Sequence, residues 1–366
     1  MEIIKTKEIE EYLNRCYANL DANYQNDFLD GYIEKKDEEE AKKELLQAGQ
    51  REFLYDNPSL FISSADFKNN PYYKNIKLDK IVSDHFSYEN TLIEKNYLFN
   101  YDSIIPDEER ELKDYLRLRA LDEDLEMIYL YEDDDSWMMC SPSESKTNDP
   151  YALKAKGKVL TFGLGIGYFV YMALLNKDVK EITVIEKSKE VIDLFTSIYS
   201  QFPKDKKVNI INGDAFDYFN EEFLNNYDYI YVDIYKSADD GRYIINKLLE
   251  QYHPDDDKLD FWIESSCLNP IRTLILMHYD ELVHNMNKEV SADYQQLMTK
   301  VRKYFSKINI KINDVNTLKN MMYDYKLIRS ILGVNNDWIK FKSSKRASFS
   351  SGSKTNVSFT WELKGT

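Results

Sequence analysis

Short apolar runs alternate with helix-like segments through the second half of the chain, and this alternation constrains the fold more than any other feature. The apolar runs are residues 158–162, 181–187, 207–213, 227–233 and 260–265. Helical patterns at residues 167–176, 188–200 and 241–252 separate them. Apolar strands joined by helical crossovers form a parallel sheet that is covered on both faces. The sequence therefore predicts a doubly wound α/β fold.

The regions before and after this alternation differ from it in composition and in net charge. Residues 1–150 carry a net charge of −18, residues 151–335 of −2, and residues 336–366 of +4. A chain of 366 residues has room for two domains. We therefore predict an acidic, mostly helical N-terminal domain over residues 1–148, the α/β domain with a helical extension over 149–335, and a C-terminal strand or tail segment over 336–366.

Local patterns refine this division. Residues 1–55 and 107–124 have helical spacing, residues 58–101 indicate short strands, and residues 126–131 with 136–140 indicate a hairpin. Residues 141–150, rich in Ser, Pro, Thr and Asn, are expected to form a connection. Helices are predicted over 270–332, with a short strand at 307–312 and two more at 337–341 and 357–363.

Composition narrows the classes of function. A net charge of −16 argues against nucleic acid as the main partner. Three widely spaced cysteines form no disulfide framework or zinc motif and fit a reducing compartment. The N-terminus lacks a secretory signal, and the uncharged stretch 159–176 contains three glycines, so we expect a cytoplasmic protein without a membrane span. The acidic runs lack the spacing of a calcium loop, and no metal is expected.

A glycine-rich turn follows the first apolar run. Gly163, Gly165 and Gly167 lie between that run and the next helical segment, where only glycine lets a ligand approach the backbone closely. Glu186 ends the second run, 19 residues after Gly167, where a carboxylate can accept hydrogen bonds from a ribose diol. The position of the third glycine in a dinucleotide fingerprint holds Tyr168 instead. The spacing thus favours a nucleoside cofactor other than a dinucleotide.

Two further acids follow the third and fourth runs. Asp214, followed by Ala215, is placed to bind an adenine amino group, and Asp233 ends the fourth run. Open α/β sheets bind ligands at the carboxyl ends of their strands, so these residues are expected to share one site with the glycine turn.

Together these motifs resemble those of class I S-adenosylmethionine-dependent methyltransferases of the spermidine-synthase-like branch. The resemblance covers about residues 149–268, and residues 137–144 are also similar to a group of uncharacterised bacterial methyltransferases. It implies a Rossmann-like sheet of order 3-2-1-4-5-7-6 and S-adenosyl-L-methionine as cofactor. The implied cofactor-binding residues are Gly163, Gly165, Gly167, Glu186, Asp214 and Ala215. A homodimer is suggested by the resemblance alone.

The remaining site residues are assigned to catalysis and to the methyl acceptor. Asp233 is the candidate base or amine ligand, with Tyr235 beside it. Glu264 at the end of the fifth run, and Ser143 with Glu144 before the first, are candidate substrate-binding residues.

The predicted function is methyl transfer to a small molecule or protein side chain, with an amine favoured by the acidic N-terminal region. Two alternatives stay open: aminopropyl transfer, against which the glycine turn lacks the acidic residue of spermidine synthases, and a non-catalytic cofactor-binding regulator.

Overall fold

The computed structural model describes residues 1–21, 31–55, 57–107 and 109–333. Its strands in chain order are β1 (Glu2–Ile3), β2 (Phe61–Ile62), β3 (Ile81–Val82), β4 (Phe86–Ile93), β5 (Phe99–Asn100), β6 (Leu118–Leu121), β7 (Leu125–Glu132), β8 (Asp135–Met139), β9 (Gly157–Phe162), β10 (Val179–Glu186), β11 (Lys207–Asn212), β12 (Tyr229–Val232), β13 (Leu259–Phe261) and β14 (Lys311–Ile312).

The helices lie before, between and after these strands. In chain order they are α1 (Lys7–Asp21), α2 (Glu38–Gln47), α3 (Glu52–Tyr55), α4 (Ser64–Phe67), α5 (Pro71–Asn75), α6 (Pro142–Lys154), α7 (Tyr168–Leu175), α8 (Lys189–Ile198), α9 (Ala215–Tyr218), α10 (Glu221–Leu224), α11 (Ala238–Gln251), α12 (Glu264–His284), α13 (Gln295–Ser306), α14 (Val315–Tyr323) and α15 (Tyr325–Leu332).

The central sheet has five parallel strands in the order β11-β10-β9-β12-β13. Because successive side chains of a strand point to opposite faces, Val159 packs in one core cluster and Leu160 in the other. Helices α7 and α8 cover the first face, and α11 and α12 cover the second. This confirms the predicted doubly wound α/β fold. The order reverses between β9 and β12, which opens a crevice at the carboxyl ends of the strands.

The N-terminal region combines helices with two smaller sheets. Helices α1 and α2 confirm the helical prediction for part of residues 1–55, and β7 with β8 confirms the predicted hairpin. These two strands belong to a four-stranded antiparallel sheet, β3-β4-β7-β8, and a three-stranded sheet has the order β2-β6-β5.

The helix predicted over residues 107–124 is wrong. Residues 118–121 form β6, which pairs with β2 and β5. All four of its residues are buried, and Arg119 is accommodated there by an ion pair with Glu52. Pairing on both sides of this short segment outweighs its local helical spacing, because burial and ladder hydrogen bonds both come from distant segments.

The connection predicted over residues 141–150 is also wrong, because this segment forms most of α6. The Ser141 hydroxyl accepts a hydrogen bond from the Glu144 backbone N–H, and Pro142 occupies the first turn, where its missing N–H costs nothing. Ser and Pro here therefore begin a helix. Helix α6 packs against α7 and presents its first turns to the crevice at the edge of the sheet.

The C-terminal part of the described chain is mainly helical, as predicted. Helices α12 to α15 pack with α1 in the core cluster beneath β12 and β13. The strand predicted at 307–312 is β14, which pairs in parallel with β1. The strands predicted at 337–341 and 357–363, and the C-terminal segment as a whole, lie outside the described residues.

Candidate functional site

A cavity of about 640 Å³ lies at the carboxyl ends of β9, β10, β11 and β12. It is bordered by loops of the sheet, by the first turns of α6 and by the hairpin β7–β8. The predicted site residues in its lining are Glu144, Gly163, Gly165, Glu186, Asp214, Ala215, Asp233 and Tyr235. The first and last of these predicted residues, Glu144 and Tyr235, are 91 positions apart in the sequence and line the same cavity.

Gly163 and Gly165 of the glycine turn line this cavity, which we call the larger cavity. Gly163 has φ 96°, and a Cβ there would lie 1.9 Å from the Asp233 carbonyl oxygen. Gly165 has φ 50°, and its Cβ would lie 2.1 Å from the Met138 sulfur. Both positions combine left-handed backbone with a close neighbour, so both require glycine.

Gly167 has a different role from the one predicted. It has φ 77° at the start of α7, and a Cβ would lie 2.5 Å from the Phe195 ring. It is not among the residues that line the cavity. Gly167 therefore allows the start of α7 to pack closely against Phe195 of α8, and no cofactor contact follows from its position.

Glu186 connects the glycine turn to the next helix. Its carboxylate accepts hydrogen bonds from the backbone N–H groups of Leu164, at 3.0 Å, and Ser188, at 2.7 Å. Burial raises the pKa of Glu186, while these backbone donors act in the opposite direction. Glu186 lines the cavity, and a carboxylate oxygen can accept more than one hydrogen bond, so a hydroxyl donor can be added here.

Asp214 is already engaged by its neighbours. One oxygen caps α9 by accepting from the Phe216 N–H at 3.0 Å, and the other lies 2.9 Å from the Lys187 ammonium. The hydrogen bond from Lys187 lowers the pKa of Asp214. Lys187 is mostly exposed, so a ligand amino group could take its place at little cost. Ala215 is buried beside it in the cavity wall.

Asp233 faces the cavity without a hydrogen-bond donor from any side chain or backbone group that the structure describes. Burial raises its pKa to about 7, so it can hold or release a proton near neutral pH. Tyr235 lies close by, but its hydroxyl donates to the Trp262 carbonyl oxygen, and burial raises its pKa well above the usual value. Tyr235 is therefore a positioning residue for Trp262, whereas Asp233 has the properties of a base.

A smaller cavity of about 380 Å³ adjoins the larger one. It lies between the N-terminal region and the start of α12, and Met139, Glu144 and Trp262 line both cavities. Ser143 lines the smaller cavity only. We call the shared boundary of these three residues the junction. The predicted substrate residues Ser143 and Glu144 are thus brought together here.

Glu144 is fixed at the junction by a short hydrogen-bonded chain. The Asn148 side-chain amide donates to Glu144 at 2.7 Å, and the Tyr231 hydroxyl donates to the Asn148 carbonyl oxygen at 2.7 Å. Burial, and then the nearby charge of Asp233, raise the pKa of Glu144 well above its usual value. The Glu144 carboxyl group is therefore held in place by neutral groups.

Glu264 does not join the site, contrary to its predicted substrate role. It begins α12 instead of ending a strand, and it lines neither cavity. Its two oxygens accept hydrogen bonds from the Arg329 guanidinium, each at 2.6 Å. This ion pair ties α12 to α15, and the sequence did not indicate it because the partner lies 65 residues away.

Several site residues carried no functional signal in the sequence. Trp262 lines both cavities, and its indole N–H donates to the Thr147 hydroxyl at 3.0 Å. Met138 and Met139 reach the cavities from β8, and Asn100 reaches the smaller one from β5. Trp262 lies within the apolar run 260–265 and directly follows β13, so its place at a strand end could have suggested it. Met138 and Met139 fall within residues 137–144, whose resemblance assigns them no role, and Asn100 could not be found because its strand belongs to a different sheet.

The described residues contain neither a group of metal ligands nor a membrane-spanning helix. Nowhere in residues 1–21, 31–55, 57–107 and 109–333 do three or more His, Cys, Asp or Glu side chains form a group that could hold a metal ion. Over the same ranges, no helix has both the length and the apolar character needed to cross a membrane.

No family model matches the chain, and no curated protein matches its sequence. A Streptococcus mutans protein described as a SAM-dependent methyltransferase aligns at 18% identity over 37% of this chain and 36% of its own, with a TM-score of 0.26. Spermidine synthase from Thermotoga maritima aligns at 14% identity over 44% and 60%, with a TM-score of 0.29. Shikimate dehydrogenase from Mycobacterium tuberculosis aligns at 15% over 42% and 59%, with a TM-score of 0.20. Similarity this partial carries no conclusion about function.

Proposed function

We propose that this protein binds S-adenosyl-L-methionine in the larger cavity and transfers its methyl group to an amine-bearing small molecule or protein side chain in the smaller one. One observation carries the proposal: the glycine turn, Glu186 and the unpartnered carboxylate of Asp233 line a single cavity at the carboxyl edge of a parallel sheet. The smaller cavity adjoins it at the junction.

The residues present fit the cofactor. Gly163 and Gly165 line the cavity with backbone alone, and a Cβ at either position would collide with the Asp233 carbonyl oxygen or the Met138 sulfur. Glu186 supplies acceptors for two neighbouring hydroxyl groups, which is what a ribose offers. Asp214 fits an adenine amino group once Lys187 moves aside. When bound, the cofactor would supply an electrophilic methyl group on a sulfonium.

The lining of the smaller cavity favours a ligand that donates hydrogen bonds. The Asn100 carbonyl oxygen is buried there without a donor. Asp102 also lines the cavity, with its carboxylate paired to Arg117 at 2.8 Å, and among the described residues of the lining none is Lys, Arg or His. Unsatisfied buried acceptors favour an N–H-bearing partner, and carboxylate or phosphate ligands would meet no cation.

The chain's own contribution to the chemistry is placement and proton removal. Trp262 and Glu144 line both cavities, so an acceptor held on the Asn100 side would lie next to the cavity that contains Asp233, with the junction between them. A carboxylate whose pKa lies near 7 can take the proton that an ammonium acceptor must lose before it reacts. Alignment and exclusion of water supply most of the remaining acceleration.

The test is calorimetric titration with S-adenosylmethionine, S-adenosylhomocysteine, decarboxylated S-adenosylmethionine and NAD. We expect micromolar binding of the first two, weakened about tenfold or more, roughly 1.4 kcal/mol, by Glu186→Ala. Glu181→Ala is the matched control, because Glu181 lies at the other end of the same strand and pairs with Lys158.

The alternatives predict different results. Preference for the decarboxylated compound would indicate aminopropyl transfer. Binding without product across a broad set of amines would indicate a cofactor-binding regulator. Binding of none of the four, or unchanged binding in Gly165→Arg, would contradict the proposal, because an arginine at Gly165 would collide with the Met138 sulfur in the cavity lining.

A further inference from the structure

Two carboxyl groups line the larger cavity without a cation paired to either of them. Glu144 reaches it from α6, and Asp233 from the end of β12. Neither forms an ion pair with any residue that the structure describes. The cations in the same lining are used elsewhere: Lys236 lies 3.3 Å from Glu132 and over the Trp137 ring, and Lys187 pairs with Asp214.

The hydrogen bonds of the two carboxyl groups are equally sparse. Glu144 is 8% exposed and receives one donor, the neutral amide of Asn148, on one oxygen. Tyr231 fixes the orientation of that amide by donating to its oxygen. Asp233 receives no donor from the described residues. Two like charges in a wall with one neutral donor and no counterion are costly, because desolvation and mutual repulsion add.

The other ionisable groups near the pair do not supply the missing charge. Burial raises the pKa values of Tyr231, Tyr235 and Tyr151 above the usual range and that of Cys267 to about 12, so all four are neutral at pH 7. Glu264 is neutralised by Arg329. Glu186 lines the same cavity but is held by backbone donors.

We propose that Glu144 and Asp233 act as one pair that holds a single proton, with Glu144 the neutral acid at the junction and Asp233 the carboxylate that accepts the proton of the methyl acceptor. Burial raises the pKa of Asp233 to about 7, and burial together with the charge of Asp233 raises that of Glu144 well above its usual value, which agrees with this order. The base role rests on the proposed function, whereas the shared proton does not.

With this assignment, the atoms and electron pairs of the methyl-transfer step balance. The acceptor nitrogen gives its proton to Asp233 and keeps the electron pair, which forms the bond to the methyl carbon. The bond between that carbon and sulfur breaks, and its electron pair stays on sulfur as a neutral thioether. Glu144 keeps its proton throughout and donates a hydrogen bond at the junction. A glutamine at position 144 can also donate from that position, because its amide is neutral and of the same shape.

The first test needs no ligand. Infrared spectra of the whole protein at pH 8 report protonated carboxyl groups through a C=O stretching band separate from the carboxylate bands. We expect this band in the wild type and its loss in Glu144→Gln. Asp233→Asn should lower the pH at which the band disappears by about one unit or more, because it removes a like charge. Asp149→Asn is the control, since Asp149 lies on the same helix, is hydrogen-bonded to Tyr168 and lines neither cavity.

Two spectroscopic results would overturn the pair. One is the absence of a protonated band in the wild type at pH 8, which would mean that both carboxyl groups are ionised. The other is a Glu144 band whose pH of disappearance is the same in Asp233→Asn, which would mean that the two groups titrate independently. Circular dichroism of each variant establishes that it is folded.

The second test uses turnover with the acceptor identified by the amine screen. Asp233→Asn should lower kcat by about 100-fold or more and Glu144→Gln by clearly less, because glutamine keeps a neutral donor at the junction. Asp149→Asn, whose residue lines neither cavity, should stay within about threefold of the wild type. In the wild type, kcat should fall as the pH is lowered below about 7. This fall should persist in Glu144→Gln and vanish in Asp233→Asn. Equal losses in both variants would overturn the assignment of Glu144 as a neutral acid. If no ligand binds at all, the proposed function and the base role fail, and the infrared result still decides the pair.

Discussion

Glu264 and Arg329 illustrate how the nearest partner of a side chain decides its role. Both are nearly buried, with side-chain exposures of 13% and 5%, and the guanidinium holds both carboxylate oxygens. A buried charge that loses its partner is left uncompensated in a medium of low dielectric constant. The pair therefore holds α12 against α15, and neither oxygen of Glu264 is available to a ligand in either cavity.

We expect Glu264→Gln to lower the free energy of unfolding by about 3 kcal/mol, because Arg329 would keep only Asp256 as an ionised partner. Urea unfolding measures this. Asp257→Asn is the control: Asp257 also pairs with α15, through Lys326, but its side chain is 79% exposed, so its loss should cost about 0–1 kcal/mol. Unchanged stability with weaker ligand binding would restore the substrate role of Glu264.

At the scale of the element, α6 is the segment that links the two cavities. Its beginning depends on Ser141, whose hydroxyl accepts from the Glu144 N–H at 3.1 Å. The same residue that receives this cap carries the carboxyl group of the junction. The placement of Glu144 therefore depends on the first turn of the helix as well as on Asn148.

Ser141→Ala should lower the free energy of unfolding by about 1 kcal/mol through loss of the cap. It should also broaden or shift the infrared band of Glu144, because the first turn of α6 frays. Ser63→Ala removes a cap of equal length, 3.1 Å, from α4, far from both cavities. A similar stability loss in both variants with an unchanged band in Ser141→Ala would show that the cap does not position Glu144.

At the scale of the whole molecule, two acids, Asp233 and Glu281, have opposite effects on how the free energy of unfolding depends on pH. For Asp233 the folded-state pKa of about 7 exceeds the unfolded value, so the folded protein binds the extra proton between about pH 4 and pH 7. Stability from this group therefore falls as the pH rises through that window. For Glu281, burial is outweighed by hydrogen bonds from Arg302 and His278, which lower its pKa to about 2. Its contribution is instead lost as the pH falls below about 4.5.

We therefore expect a maximum of unfolding free energy near pH 4 to 4.5 and a decline toward pH 7. One proton of difference gives a slope of about 1.4 kcal/mol per pH unit. Urea titrations at pH 3 to 8 measure the curve. Asp233→Asn should make the limb above pH 5 less steep, with the proton on Glu144 causing the remaining decline, and should leave the acid limb unchanged. Glu281→Gln should flatten only the acid limb. An unchanged upper limb in Asp233→Asn would mean that its carboxyl group is solvated in the folded protein.

The sequence by itself determined the parallel sheet and the residues at its edge. Apolar runs, crossover helices, the glycine turn and the acids at the ends of the runs are local patterns, and the geometry of a parallel sheet brings Gly163, Glu186 and Asp233 together without further information. The tertiary structure alone decided which neighbours each of these groups meets. It made residues 118–121 a strand and paired Glu264 with Arg329. These outcomes depend on contacts between segments distant in the chain, which no local spacing encodes, and the same contacts join Asn100, Glu144 and Trp262 into the smaller cavity.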